Sequence, residues 1–224
     1  MENVEKGFLQ EEGKAQQTGG VWLNVTRGKL VRKVEEGTEG AISRMNKLGN
    51  KVWEKFYSKI VFKIESMNIV EGEYGKQIFL NTTIGGVKHT ISINNSTSYA
   101  RSFYQQIFNV NLNKYFTFQP YSFEDENGKK RTGVTLYQDG QKIEKKFPEN
   151  TPEVEFKQKD GKYIVNQIQE DDRLEFLENN LIKLAKENNL NIVEDEVVTE
   201  TEGTVKPSQS KSKKEDSDFD FDDF

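Results

Sequence analysis

Residues 99–110 read YARSFYQQIFNV, and this stretch decides the fold that the chain is expected to adopt. Apolar side chains recur in it at every third or fourth position, which is the spacing of one face of an α-helix. Asn95, Ser96 or Ser98 offers an N-cap just before it. The apolar face consists of two adjoining stripes, Tyr99, Phe103 and Ile107, and Ala100, Tyr104 and Phe108. The stretch therefore predicts an amphipathic helix that closes one end of a sheet.

The segments around this helix have the period-two alternation and the turn residues of strands. Near the start, Val, Leu and aromatic residues predict one long strand over Val21–Val34, bent at Gly28. The glycine-containing residues 35–50 are expected to form a loop or a short helix. The other predicted elements are strands over Lys55–Ser66, 77–84, Val87–Ile93 and Lys114–Phe123, hairpins over 134–147 and 154–168 around Asp-Gly pairs, and a helix over Arg173–Asn188.

Within Lys55–Ser66, apolar and basic residues alternate. This predicts a strand with one side in the core and one basic side outside. The core side carries Phe56, Ile60, Phe62 and Ile64, and the outer side carries Lys55, Tyr57, Lys59 and Lys63. By the same reasoning, Phe116 and Phe118 in the later strand belong to the core, and His89 is a half-buried residue without a functional role.

The order of elements, with one helix between the third and fourth strand regions, is the order of an OB-fold. We predict a mainly β protein: an OB-like five-stranded Greek-key barrel with one internal helix, an extra β-hairpin and a C-terminal helix. A plain β-sandwich is the alternative. The predicted divisions are a disordered segment 1–18, the OB domain 19–148, a hairpin and amphipathic helix 149–192 on or beside the barrel, and a disordered acidic tail 193–224.

Composition excludes several classes of protein. The chain has 224 residues, no cysteine and one histidine, so disulfides, thiolate chemistry and an ordinary structural zinc site are excluded. Length and hydrophobic content fit one substantial domain with solvated appendages. No apolar run approaches the roughly 20 residues of a membrane helix, and the first residues do not resemble a signal peptide. We expect a cytoplasmic protein that does not enter a membrane.

Charge is divided between a basic body and an acidic tail. Residues 19–147 contain 20 Lys and Arg against 12 Asp and Glu, whereas residues 194–224 contain 4 against 11. A basic body suggests a polyanionic partner, although a solvated surface with a solubilising tail gives the same totals.

The body also contains what binding of a single nucleic-acid strand requires, namely cations for phosphates and aromatic faces for bases. Tyr57 is the best stacking candidate, because three lysines share its side of one strand. Trp53 lies between two lysines in sequence. The candidate phosphate contacts are Arg27, Lys29, Arg32, Lys33, Arg44, Lys47, Lys51, Lys55, Lys59, Lys63, Lys129, Lys130 and Arg131, and the candidate stacking residues are Trp53, Tyr57, Phe79, Tyr115, Tyr121 and Tyr137.

The chain carries the tip SDFDFDDF at 217–224, where aspartates precede a terminal phenylalanine, and the basic run RGKLVRKV at 27–34. On the tip, and more weakly on the basic run, it resembles phage-encoded single-stranded DNA-binding proteins. The resemblance implies an OB core that binds single-stranded DNA in phage replication and recombination, in the cytoplasm of a bacterial host. It also implies that the tail recruits replication or recombination proteins such as a polymerase, helicase or primase.

Alternating Asp and Phe at the tip imitates the negative charge and planar rings of a single strand. We expect the tip to compete with DNA for the protein's own basic groove and to bind partners once displaced. The tail residues concerned are Asp216, Asp218, Phe219, Asp220, Phe221, Asp222, Asp223 and Phe224.

Three alternatives stay open. The first is a single-stranded RNA-binding OB protein, and the second is a scaffold or adaptor that acts through the tail alone. The third is a nuclease with a carboxylate-bound metal, for which Asp171-Asp172 or Glu71 with Glu73 would serve; a helix start and a turn explain these acids as well. We expect a protein that is not an enzyme, needs no cofactor, and is a monomer or homodimer.

Overall fold

The computed structural model describes residues 20–46, 48–72, 75–159 and 162–191, and of 156–159 and 162–165 the backbone alone. The described residues are mainly β, as predicted, with two helices. The strands are β1 Val21–Thr26, β2 Lys29–Val34, β3 Ile42–Met45, β4 Lys51–Tyr57, β5 Ile60–Phe62, β6 Ser66–Gly72, β7 Gly75–Ile84, β8 Val87–Asn94, β9 Phe116–Glu124, β10 Lys130–Gln138, β11 Gln141–Lys142, β12 Phe156–Lys159 and β13 Lys162–Val165; the helices are α1 Ser98–Ile107 and α2 Gln167–Glu187.

Seven strands form one mixed sheet in the order β3-β4-β2-β1-β8-β7-β6. Neighbours are antiparallel except β1 and β8, which pair in parallel. Leu23, Leu80 and Ile91 lie fully buried on its inner face. The outer face carries the alternate positions, so this sheet is half core and half surface.

A second sheet has the order β11-β10-β9-β5. The chain passes between the two sheets over residues 51–72. It leaves the large sheet at β4, next to one edge, contributes β5 to the small sheet, and returns to the large sheet as β6 at the opposite edge. The pairings among the described residues leave both sheets open and form no closed barrel. The mainly β class is confirmed, whereas the five-stranded OB-like barrel stays a prediction.

Helix α1 packs on the core and also covers the edge of β10. Tyr99, Phe103 and Ile107 are buried, as the apolar stripe predicts. The Gln106 side chain accepts a hydrogen bond from the backbone N–H of Leu136 at 2.9 Å and donates to the carbonyl of Val134 at 2.9 Å. Strand β10 thus has hydrogen-bond partners at an edge that would otherwise be exposed.

Thr97, not one of the three predicted residues, caps the N-terminus of α1. Its side-chain oxygen accepts from the backbone N–H of Ala100. Asn95 and Ser98 are engaged elsewhere, Asn95 with Glu178 and Ser98 with Thr132, so neither serves as the cap.

Helix α2 belongs to the same core as the sheets. Leu177, Leu181 and Ala185 are buried in the main apolar cluster. Glu178 accepts hydrogen bonds from the Lys76 ammonium at 2.7 Å and the Asn95 amide at 2.6 Å. The helix is longer than the predicted 173–188, and it packs on the body rather than projecting from it.

The predicted hairpin over 154–168 is present as the antiparallel pair β12 and β13, which form a separate two-stranded sheet. The predicted segments 1–18 and 193–224 lie outside the described residues. In the part of the chain that is described, neither helix is long and apolar enough to cross a membrane.

The predicted single strand over Val21–Val34 is wrong. The chain reverses there, and β1 and β2 form a hairpin in which Arg27 and Gly28 both have positive φ, 51° and 70°. A Cβ on Gly28 would lie 2.5 Å from the backbone nitrogen of Ser122, so the turn packs directly on β9. Glycine at this position makes the close approach possible.

The region 35–50, predicted as a loop or short helix, contains the edge strand β3. Residues Ile42–Met45 pair with β4, with Ile42 opposite Glu54 and Met45 opposite Lys51. The strand is only four residues long, too short for alternation to reveal it.

For Lys55–Ser66, the prediction of which side chains face the core is correct in the second half and inverted in the first. Ile60 and Phe62 are buried as predicted, and so is Ile64. Tyr57, however, pairs with the fully buried Leu30 and packs against the core, while Phe56 lies half-buried on the outer face. Ser58 and Lys59 separate β4 from β5, and the chain changes parity across this break.

Candidate nucleic-acid interface

The small sheet carries a groove of about 550 Å³ on the outer face of β9, β10 and β11. Its walls are polar, aromatic and basic. The residues that line this groove are Gln119, Tyr121, Phe123, Asp125, Arg131, Thr135, Lys142 and Lys145.

Alternation along β9 supplies the aromatic wall. Phe116 and Phe118 point into the core, so Tyr121 and Phe123 lie on the opposite face with Gln119. Tyr121 pairs with Gly133 of β10, where a Cβ would lie 2.6 Å from the tyrosine hydroxyl oxygen. The missing side chain of Gly133 therefore leaves the room that the Tyr121 ring occupies.

The two rings of this wall lie against each other. The centroids of Tyr121 and Phe123 are 5.7 Å apart, with the planes tilted by 38°. Phe123 is 56% exposed, which is unusual for a phenylalanine. The Lys145 ammonium lies 5.2 Å from the Tyr121 ring centroid and donates to its hydroxyl at 2.9 Å. Aromatic faces and a cation thus line one concave surface.

The groove has a net positive charge, because three cations face one carboxylate. Arg131 Nε donates to Asp125 Oδ2 at 2.8 Å. The backbone N–H of Lys129, followed by the Arg131 side chain, lowers the pKa of Asp125 below its ordinary value. Asp125 consequently stays ionised and holds Arg131, whereas no carboxylate pairs with Lys142 or Lys145 among the described residues.

A second aromatic surface lies on the outer face of the large sheet. Trp22 is 47% exposed and meets Phe79 edge-on, with centroids 5.0 Å apart. On the same face, Asn81 donates to Ser66 and Asn68 and accepts from Thr90. This surface offers rings, amides and hydroxyls.

Glu54 organises the outer face of β4. Only 2% of it is exposed, and its carboxylate accepts from Arg27 at 2.7 Å and twice from Arg44 at 3.0 Å. The Arg27 guanidinium also lies 5.1 Å from the Phe56 ring centroid. Burial acts to raise the pKa of Glu54, but the two arginines outweigh it and hold that pKa below its ordinary value.

Of the predicted residues, the structure brings Tyr121 and Arg131 together in the groove. Tyr137 lies beside it, opposite Lys142, while Lys129 immediately precedes β10 and Lys130 is the first residue of that strand.

The other predicted residues are spread over the molecule. Phe79 lies on the large sheet, Tyr115 is exposed just before β9, and the Lys51 ammonium lies 4.7 Å from the half-buried Trp53 ring. Tyr57 is the one predicted stacking residue that packs against the core. Lys29, Lys33 and Lys59 are exposed, Arg32, Lys55 and Lys63 are half-buried, and Lys47 and the tail residues lie outside the described residues.

Sequence reasoning missed Phe123, Lys142 and Lys145. Phe123 has the parity of Tyr121 and Gln119, so continuing the alternation by one step identifies it. The two lysines follow a hairpin turn, and only the return of the chain beside β9 and β10 brings them to the groove.

No protein-family model, curated protein or solved structure matches this chain. Within the described ranges, no three His, Cys, Asp or Glu side chains form a cluster that could hold a metal ion.

Proposed function

We propose that this chain binds single-stranded DNA without sequence preference and protects it in phage DNA replication or recombination. The observation that carries the proposal is the groove on β9, β10 and β11, in which two touching aromatic rings share a concave surface with three cations. A single strand offers the complementary features, namely flat bases and a regularly charged backbone.

Each component of the groove has a chemical task in this proposal. Bases stack on Phe123 and Tyr121, with about 1–3 kcal/mol for each stacked base. Phosphates contact Arg131, Lys142 and Lys145, which releases counterions and makes affinity fall with salt. Stacking and phosphate contacts accept any base, so binding is independent of sequence. A duplex, whose bases are already stacked and paired, offers no free rings to this wall.

We propose that the fold is OB-like in its finer arrangement. The support is the continuous run 51–72, whose ends β4 and β6 lie near opposite edges of the large sheet. A sheet that coils to bring these ends together, with α1 at one end, is the arrangement of an OB barrel. Nucleic-acid binding on its strand faces suits both aromatic surfaces described above.

We further propose that the acidic tip competes with DNA for the groove and recruits partner proteins when DNA displaces it. The sequence SDFDFDDF at 217–224 alternates charge and rings, and the groove has cations and rings to receive both. The tether makes the contact intramolecular, so modest affinity is enough.

Titration of the full chain with fluorescent oligo-dT tests the DNA-binding proposal. We expect saturable binding that weakens steeply between 50 and 200 mM salt, and weaker binding to a duplex of the same length. Phe123→Ala is expected to reduce affinity by about 5- to 150-fold, the equivalent of one stacked base. Ile168→Ala, which truncates another exposed apolar side chain, is the matched control and keeps wild-type affinity.

Four results would count against the proposal or redirect it. Equal binding by Phe123→Ala and wild type would remove the groove as the DNA site, and loss of affinity in Trp22→Ala would move the site to the large sheet. Stronger binding to oligo-U than to oligo-dT would favour an RNA ligand. No binding to either strand would leave a scaffold that acts through its tail.

The tail has its own test. A chain truncated before Asp216 is expected to bind oligo-dT more tightly than wild type at low salt, and by less at 200 mM salt. Unchanged affinity at both salt concentrations would exclude competition by the tip. Replacement of Phe224 by Ala, with pull-down of a replication polymerase or helicase, tests partner binding separately.

A further inference from the structure

We infer that Glu54 is a positioning residue that holds Arg27 and Arg44 together as a second phosphate-binding subsite, outside the groove. The inference rests on the proposed function, because the subsite would contact the backbone of the same single strand. Sequence reasoning treats the two arginines as independent cations, whereas the structure joins them through one buried carboxylate.

Among these three side chains, the two arginine cations outnumber the one carboxylate. One buried carboxylate needs one positive partner to offset its desolvation. Among the described residues Glu54 has two, and the arginine guanidinium is in general a permanent cation in proteins. The Arg27–Glu54–Arg44 group therefore carries a net single positive charge, held at fixed positions rather than on a flexible lysine stem.

Arg27 keeps donors for a ligand. Among the described residues it makes one hydrogen bond, from Nη2 to Glu54, and its Cζ lies over the Phe56 ring. Its Nε is buried without a hydrogen-bond partner in the described part of the chain, while the side chain as a whole is 35% exposed. Nε itself is closed to a ligand, so the remaining N–H groups of the two Nη atoms are the ones that can contact phosphate oxygens.

The position of Arg27 relates the subsite to the groove. The next residue, Gly28, packs against Tyr121 and Ser122 of β9, so the turn adjoins the strand that supplies the aromatic wall. A single strand that leaves the groove at this side meets the Arg27 turn. The two surfaces then share one ligand, and Glu54 acts on it only through the arginines.

Glu54→Gln separates positioning from simple charge. Removal of a negative charge from a DNA-binding surface should tighten binding if net charge alone matters. If Glu54 positions the arginines, the same change weakens binding to oligo-dT, by about tenfold or more, the equivalent of one charge-assisted hydrogen bond. Glu36→Gln is the matched control, since Glu36 is exposed and lies 3.9 Å from Lys51. It loses the same charge without an arginine to release, and we expect equal or slightly tighter binding.

Opposite signs for the two variants support the inference. Equal or tighter binding by Glu54→Gln would overturn it while leaving the proposed function intact, whereas a wild-type chain that fails to bind would overturn the function first. Thermal melting checks that Glu54→Gln is folded. If that variant is unfolded, Arg27→Gln tests the inference instead. It should make the slope of log affinity against log salt shallower by the amount expected for the loss of about one phosphate contact, whereas Lys183→Gln should leave the slope unchanged. Equal slopes for these two variants would also overturn the inference.

Discussion

Replacing Gly28 by alanine should destabilise the protein more than the same change at any other glycine with positive φ in the described chain. Gly28 has φ of 70°, and an added Cβ would lie 2.5 Å from the backbone nitrogen of Ser122 and 2.8 Å from its Cβ. The left-handed conformation costs alanine about 1–2 kcal/mol. The overlap with β9 adds about 1–3 kcal/mol, because a backbone atom cannot swing aside as a long side chain does. The free energy of unfolding should therefore fall by about 2–5 kcal/mol.

Gly37→Ala is the matched control for this prediction. Gly37 has φ of 80°, but nothing lies within 4 Å of the position of its Cβ. The control should lose about 1–2 kcal/mol, from the backbone conformation alone. Urea unfolding followed by tryptophan fluorescence gives both values, and their difference isolates the contact between the turn and β9.

Two results would refute this reasoning. Equal losses in Gly28→Ala and Gly37→Ala would mean that the turn does not press on β9. Full recovery by Ser122→Gly in the Gly28→Ala background would mean that the side chain, and not the backbone nitrogen, is the obstacle. Partial recovery is expected, since the shortest distance is to the backbone.

Three further predictions concern stability. Acid should lower the free energy of unfolding in two steps. Burial holds the pKa of His89 below its ordinary 6.5, so stability falls as the pH drops below that value. The lowered pKa of Glu54 adds a second loss below about pH 4.5, which Glu54→Gln should lack; urea unfolding at pH 7.5, 5.5 and 4 measures both losses. Gln106→Ala should cost about 2–4 kcal/mol, because it leaves two buried backbone groups of β10 without partners, and faster amide exchange at Leu136 should accompany the loss. Leu177→Ala should cost about 2–5 kcal/mol if α2 belongs to the core, against about 1 kcal/mol or less if the helix projects from the body.

Much of the local structure could be predicted because its causes are local. The stripe of Tyr99, Phe103 and Ile107 predicts α1, and it is buried as expected. The Asp139-Gly140 pair predicts a hairpin, and both residues have positive φ, 51° and 78°. The wrong elements have equally local reasons. Arg27-Gly28 lacks the usual Asn-Gly or Asp-Gly signature of a two-residue turn, so the pattern predicts one continuous strand where the structure has two.

The candidate site could be predicted only in part. Tyr121 and Arg131 come from the correct strands, whereas Tyr57 is on the wrong face because the break at Ser58–Lys59 shifts the parity of one strand against the next. A period-two pattern determines which residues share a side of a strand, but a single extra residue inverts the side that faces solvent.

By itself, the sequence determined the mainly β composition, the amphipathic helices, most turns, and the separation of a basic body from an acidic tail. These depend on side chains a few positions apart along the chain, where spacing is set by covalent geometry. Only the tertiary structure decided that Lys145 lies on the Tyr121 ring and that Glu54 joins Arg27 to Arg44. Those contacts join residues 10 to 27 positions apart, and their formation depends on strand register and packing, which no local pattern encodes.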